Sequence, residues 1–296
     1  VKSESFRLRH SDWVVIVYAV IVSGLVVIAR ERVPNWGLFV LAHCAIAGTT
    51  LLLAAWEPRS SRTWVRLLRD FDVLFYVLSF FLMTIYLVHR VHPVDYDQQL
   101  ILIDRAIGGF AVLKWMESID HPLLTDISKV TWILYYPLPL IVGIPLYLRK
   151  DRGCFHELKL FYLLAWLVSY LGYFAVPAEG PGYHQEAVGV SQPNWEETVV
   201  SSSLKEGIDA VEGEARDTFP SGHVMIAAMT ILACFRYRLW RAALIALPFS
   251  FAVMWSTLYL RYHYLVDGLV GIALVLLIAW LGSLWHRRTK NGPRPL

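Results

Sequence analysis

Apolar runs broken by short polar stretches organise this chain. Eight of them, at about 13 to 29, 36 to 56, 71 to 88, 124 to 148, 159 to 176, 221 to 237, 242 to 260 and 265 to 285, come close to or exceed the length of a membrane-crossing helix, which needs ~20 residues at ~1.5 Å per residue. The pattern predicts an all-α, polytopic transmembrane bundle. The breaks alternate in charge. Lys2, Arg7 and Arg9 precede the first run, Arg59, Arg62, Arg66 and Arg69 follow the second, and Arg149, Lys150, Arg152 and Lys159 follow the fourth. Arg236, Arg238 and Arg241 follow the sixth, and Arg287, Arg288, Lys290 and Arg294 follow the last. Basic loops stay in the cytoplasm, so both termini are expected inside, with four outer segments at 30 to 35, 89 to 123, 177 to 220 and 261 to 264.

Within the second outer segment, Leu100, Ile103, Ile107, Phe110 and Leu113 recur at helical spacing with charges between them. They predict an amphipathic helix over 95–118 lying on the outer interface. The segment 177–220 joins the turn formers PAEGPGYH to a Ser- and Glu-rich middle, SQPNWEETVVSSSLKEG. It is long enough for a lid or a substrate-binding role. The start, VKSESFRLRH followed by WVVIVYAVIVSGLVVIA, has the basic and apolar regions of a signal peptide but no small-x-small cleavage site. It reads as a retained signal-anchor helix in a plasma (inner) membrane protein.

Composition agrees: 56% hydrophobic, 14% aromatic and 17% charged residues, with a mean hydropathy of +0.48, leave no room for a large soluble domain. The net charge of +3 is a topology signal and implies no nucleic acid partner. Cys44 and Cys234 lie in apolar runs and Cys154 in a basic loop, so neither a disulfide framework nor a zinc knuckle is indicated.

Candidate chemistry gathers at two histidines. His223 sits in FPSGHV, at the mouth of the sixth run, and His263 follows forty residues later in STLYLRYHYLVDGLVG. That separation is one helix, the basic turn RYRLWR and one helix back, which returns both histidines to one face. Asp267, four residues after His263, is on the same helix side and is placed to accept a hydrogen bond from one imidazole nitrogen, fixing the tautomer. Arg261 and Arg216 flank the pair with guanidinium forks suited to phosphoryl oxygens. Pro220 suits a first helical position, and Gly222, the Ser221 hydroxyl and the free N–H groups of a helix start make an anion site. Two other readings stand beside this one: interfacial structural histidines, and a metal held by His223, His263 and Asp267, which the arginines disfavour.

FPSGHV and STLYLRYHYLVDGLVG resemble motifs of the type 2 phosphatidic acid phosphatase superfamily, lipid phosphatases and phosphotransferases that also include vanadium haloperoxidases. The second motif is most similar to the branch containing inositol phosphorylceramide synthase. The resemblance covers 71–285 as a six-span catalytic core, with 1–70 as two additional helices and 286–296 as a basic cytoplasmic tail. It implies that His263 attacks phosphorus, Asp267 orients it and His223 protonates the leaving oxygen. Ser221 and the Gly222 backbone would bind the phosphoryl group, with no metal and no cofactor. Two departures stand out. Thr257 follows Ser256 where the superfamily has Ser-Arg, which leaves the role to Arg261. The lysine and Arg-Pro pair of the first motif have no match: VPAEGPGYH, with Gly182, occupies their expected place, leaving Arg216, His184 or Lys205 to supply charge. The expectation is an enzyme acting at the outer face on a lipid phosphate, diphosphate or phosphodiester. Hydrolysis ranks ahead of transfer to a lipid or sugar hydroxyl. A non-enzymatic binder or transporter of anionic lipids is the reading from another class.

Overall fold

A computed structural model describes residues 8–133, 135–149, 152–193 and 216–290, with side chains as far as 284. The described residues form twelve α-helices and no strand. In chain order these are α1 (His10–Ile28), α2 (Trp36–Trp56), α3 (Thr63–Val91), α4 (Asp97–Ala106), α5 (Gly109–Ser118) and α6 (Pro122–Ile133). They continue with α7 (Leu138–Leu148), α8 (Arg152–Ala175), α9 (Gln185–Val188), α10 (Gly222–Arg236), α11 (Trp240–Tyr259) and α12 (Leu265–Lys290). Lipid offers the backbone no hydrogen bonds, so helices that satisfy their own amides are the form these apolar runs must take.

Six of the helices are long and apolar enough to cross a membrane: α1, α2 with the 3₁₀ turn that extends it to Arg59, α3, α8, α11 and α12. The run expected at 124–148 is a pair, α6 and α7, bent by 46°, and the run expected at 221–237 is the 15-residue α10. The bend has a local cause. Pro137 disfavours helix at Tyr136 before it, and Pro139 adds a residue with no N–H to donate. In place of one amphipathic helix over 95–118 there are two, α4 and α5, because Gly108 between them adopts a left-handed φ of 85°. Glycine enters that region without the Cβ penalty other residues meet.

α8 and α10 form the centre of the bundle. α10 packs on α8, α11 and α12, and α3 packs on α8. Tyr162 and Thr230 share a hydrogen bond of 2.7 Å across the α8–α10 contact. Parallel α3 and α8 also meet at their C-terminal ends, where His92 Nδ1 lies 2.9 Å from the Phe174 carbonyl and the Tyr96 amide donates to the Pro177 carbonyl at 2.8 Å.

At the opposite end of α3 and α8 lies a buried ionic network. Arg69 is 0% exposed and donates to Asp12 of α1 and, at 3.1 Å, to Asp72. Lys159 of α8 stands 2.5 Å from Asp72 and donates to the Arg69 carbonyl at 2.8 Å. Arg9 reaches Glu57 at 2.6 Å and Asp70 at 3.0 Å, and Arg152 reaches Asp70 at 2.6 Å. These pairs tie α1 and the end of α2 to the α3–α8 core. Removing one partner of a buried pair leaves the other charge uncompensated, which costs roughly 3–5 kcal/mol. Arg69→Met is therefore expected to lower the unfolding midpoint in detergent sharply, and adding Asp12→Asn should recover part of the loss. A single variant that melts like wild type would show that the network does not hold the first helices.

Candidate functional site

The FPSGHV stretch turns into α10 through a cis Phe219–Pro220 peptide. Ser221, with extended backbone, is the N-cap, and its hydroxyl accepts from the Val224 amide at 3.4 Å. Pro220 therefore lies before the cap, not at the first helical position expected from sequence. The Ser221 amide donates to the Asp267 carbonyl at 3.2 Å. Gly222 has no space for a side chain, since a Cβ there would lie 2.7 Å from the Tyr173 hydroxyl. One residue on, His223 stacks on Trp132 with ring centroids 4.7 Å apart and a 17° interplanar angle, and packs against Tyr135 at 3.9 Å. Its Nε2 is buried without a hydrogen-bond partner.

His263 lies in the turn between α11 and α12. Its backbone amide donates to the Thr257 carbonyl at 3.1 Å, and its ring, 5% exposed, has Nδ1 2.8 Å from the Thr218 carbonyl. A carbonyl can only accept, so Nδ1 carries the proton and Nε2 keeps its lone pair. Burial holds this imidazole in the neutral form, down to about 4 from 6.5, against the upward pull of the Asp217 charge and the Thr218 bond. Asp217 is pushed up, toward neutrality, by its own burial. The His223 and His263 rings stand 6.0 Å apart between centroids.

Asp267 does not make the hydrogen bond to His263 that the four-residue spacing led us to expect. Its Oδ2 stays 3.6 Å from Nδ1 and accepts instead from the Tyr264 amide at 2.7 Å. As the third residue of α12 it reaches back to an orphan N–H at the helix start, as the acidic member of a capping box does. The Thr218 carbonyl takes the place it leaves.

The predicted arginines are each held by carboxylates. Arg261, at φ 58° and 1% exposed, lies 3.1 Å from Asp120, while its Nε is buried without a partner. Arg216 reaches Asp95 at 3.2 Å and Glu179 at 3.0 Å. His184 Nε2 lies 3.4 Å from both Asp97 and Glu179, and Lys205 lies outside the described residues. Ligand atoms of Asp97, Glu179 and His184 fall within 4.8 Å of one another. Arg216 on Glu179, and the Glu179 and Gly180 amides on Asp97, make this a charge network whose acceptors are already engaged. Over the corner runs the segment after α8. Gly180, at φ 102°, sits where a Cβ would be 2.5 Å from the Tyr262 carbonyl, and the Gly182 amide donates to the Arg261 carbonyl at 2.9 Å.

Sequence reading missed Trp132 and Tyr135, which cradle His223, as well as the Thr218 carbonyl. It also passed over Lys129, buried in α6 one turn before Trp132. A lysine inside the apolar run DISKVTWILYYP was the available signal, because charge inside a membrane segment is costly. Nothing in the sequence marked the aromatic residues, which look like ordinary lipid-facing or core positions.

Known proteins bear on this geometry. No solved structure matches the chain. A phosphoinositol dihydroceramide synthase of Bacteroides thetaiotaomicron is 26% identical over 177 residues, 55% of this chain and 57% of that protein, so the chain spans little more than half the length of this relative. The family model of the PAP2 superfamily matches residues 98–281, which hold α5 to α11, both histidines, nearly all of α4 and the first two thirds of α12. With more than half of its length matched, the chain belongs to the PAP2 superfamily of membrane lipid phosphatases and phosphotransferases.

Proposed function

We propose that this protein breaks a phosphoester of a membrane lipid through a phosphohistidine on His263 and passes the phospho group to a hydroxyl. One observation carries the reading: the two imidazole rings lie with centroids 6.0 Å apart, tilted by 58°, one with Nδ1 fixed by a carbonyl and the other with an unpartnered Nε2. Reacting atoms need to approach within ~3–3.5 Å, and a phosphoryl group between the rings would have an attacking nitrogen on one side and a proton donor on the other. The Nε2 lone pair of His263 attacks phosphorus, the bond to the leaving lipid oxygen breaks, and His223 gives that oxygen its proton. In the second half His223 takes the proton of the acceptor hydroxyl as its oxygen attacks the phosphohistidine. The His223 amide at the start of α10 and the buried Nε of Arg261 would serve the phosphoryl oxygens.

Transfer to a lipid or sugar hydroxyl is favoured over hydrolysis by two features. His263 is buried beneath the segment that crosses Arg261 and Tyr262, which limits water, and the relative is named as a phosphoinositol dihydroceramide synthase. Hydrolysis is the outcome when water captures the intermediate. By charge alternation the site opens to the outer face, with both termini inside, and the chemistry needs no metal.

His263→Ala and His223→Ala are each expected to lower kcat by about 10³-fold or more while leaving a folded, monodisperse protein. The assay follows a labelled phospholipid headgroup to a lipid acceptor or to water. Full turnover by His263→Ala would remove the mechanism, and release to water alone would make hydrolysis the activity. Because the nucleophile must be neutral and His263 gains its proton only near pH 4, the acid limb assigned to it in kcat/KM should fall near that value. An acid limb near 6.5 in the wild-type profile, with a substrate that does not itself titrate there, would contradict the burial argument. Excess chelator should leave the rate unchanged, whereas loss restored by zinc would place a metal in the site.

A further inference from the structure

The α4 helix carries two carboxylates, Asp97 and Asp104, seven residues and so two turns apart on one face. Both are buried, Asp104 to 0% exposure. They take no part in the chemistry described above, yet each holds a residue of the 264–266 stretch that follows His263. Asp97 accepts from the Tyr264 hydroxyl at 2.9 Å, and through the Glu179 and Gly180 amides, at 3.0 and 2.9 Å, it fixes the segment that crosses the corner. Asp104 accepts from the Val266 amide at 2.9 Å.

The first amides of a helix have no partner within it, and a negative charge is stabilising there. α12 meets this need twice. Asp267 serves the Tyr264 amide from within the helix, and Asp104 serves Val266 from a different one. The second arrangement fixes the position of the α12 start relative to α4, which the first cannot do. Gly109, the first residue of α5, keeps the space open: a Cβ there would fall 2.0 Å from Asp104 Oδ2.

We infer that α4 is a brace for the catalytic corner, with Asp104 and Asp97 as positioning residues that set where the His263 ring points. The role is tied to the Nδ1–Thr218 bond: the path of 263–266 is pinned on one side by Thr218 and on the other by α4, so loosening α4 lets the imidazole leave the carbonyl and sample the other tautomer. The catalytic consequence rests on His263 being the nucleophile proposed above, whereas the structural one does not.

The test uses the full chain in detergent, labelled with ¹⁵N-histidine, with the His263 resonances identified by their loss in His263→Ala. Wild type should show the Nδ1–H tautomer. Asp104→Asn keeps an acceptor oxygen for Val266 and should keep that signature, with kcat within about threefold of wild type. Asp104→Leu strands a buried amide, an effect worth roughly ten- to a hundredfold. It should turn the His263 signal into a tautomer mixture and lower kcat by that factor while KM moves less than about twofold. Gly109→Ala, which displaces the carboxylate without removing it, should reproduce the Leu variant and stands in for it if that variant does not fold. An unchanged His263 signal in Asp104→Leu or in Gly109→Ala would overturn the inference, as would an Asn variant as damaged as the Leu one. A wild type that shows the expected signal but turns over no lipid would count against the proposed reaction and leave the brace to be decided by the spectra.

Discussion

One hydrogen bond, from Nδ1 of His263 to the Thr218 carbonyl, joins two loops that are far apart in sequence. The Ser221 amide adds a second tie, to the Asp267 carbonyl. Together they bring the N-terminal ends of α10 and α12 side by side, so the helix that carries His223 in its first turn and the helix that follows His263 start from a common point. Close packing behind that point makes it possible. At Gly271 a Cβ would lie 3.1 Å from Met225 and 3.2 Å from the Ser221 carbonyl, so a larger residue would wedge the two helices apart just below the site. Cores this dense transmit small displacements, which is why the orientation of one imidazole depends on residues as distant in sequence as Asp104 and Thr218.

Lipid imposes the second constraint. Polar groups inside the bundle must find partners there, and the protein confines them to two regions. Around the histidines, backbone carbonyls and amides do most of the work, and donors such as His223 Nε2 and Arg261 Nε stay unengaged. At the far end of α3 and α8, acids and bases neutralise each other completely enough that Arg69 needs no access to water. The residues between are largely apolar, with hydroxyl pairs such as Tyr162–Thr230 stitching helix to helix. Substitutions at one end can therefore change stability with little effect on chemistry at the other.

Much of this was legible in the sequence. Apolar length marks each crossing helix because hydrocarbon thickness is fixed, and a forty-residue return must bring two histidines to one face whatever the side chains between them. Less legible was anything that depends on a competing partner. The spacing of His263 and Asp267 allows a hydrogen bond, but an orphan amide at the helix start competes for the same carboxylate and wins. A sequence shows the charge of Arg216 and Arg261 but not the Asp95, Glu179 and Asp120 that face them. Trp132 stacks on His223 at the end of α6 where the chain bends into α7, and that angle has no sequence signature beyond the prolines themselves.

The ionic network of Arg69, Asp12, Asp72 and Lys159 has a thermal consequence. Hydration of charged groups becomes less favourable as temperature rises, so the cost of keeping these ions away from water shrinks on heating, while apolar burial gains nothing comparable per unit area. The tie between the first two helices and the core is thus of the kind that weakens least in a hot membrane. On warming, the apolar contacts around it would give way first, leaving α1 tethered to α3 and α8 by its charged end.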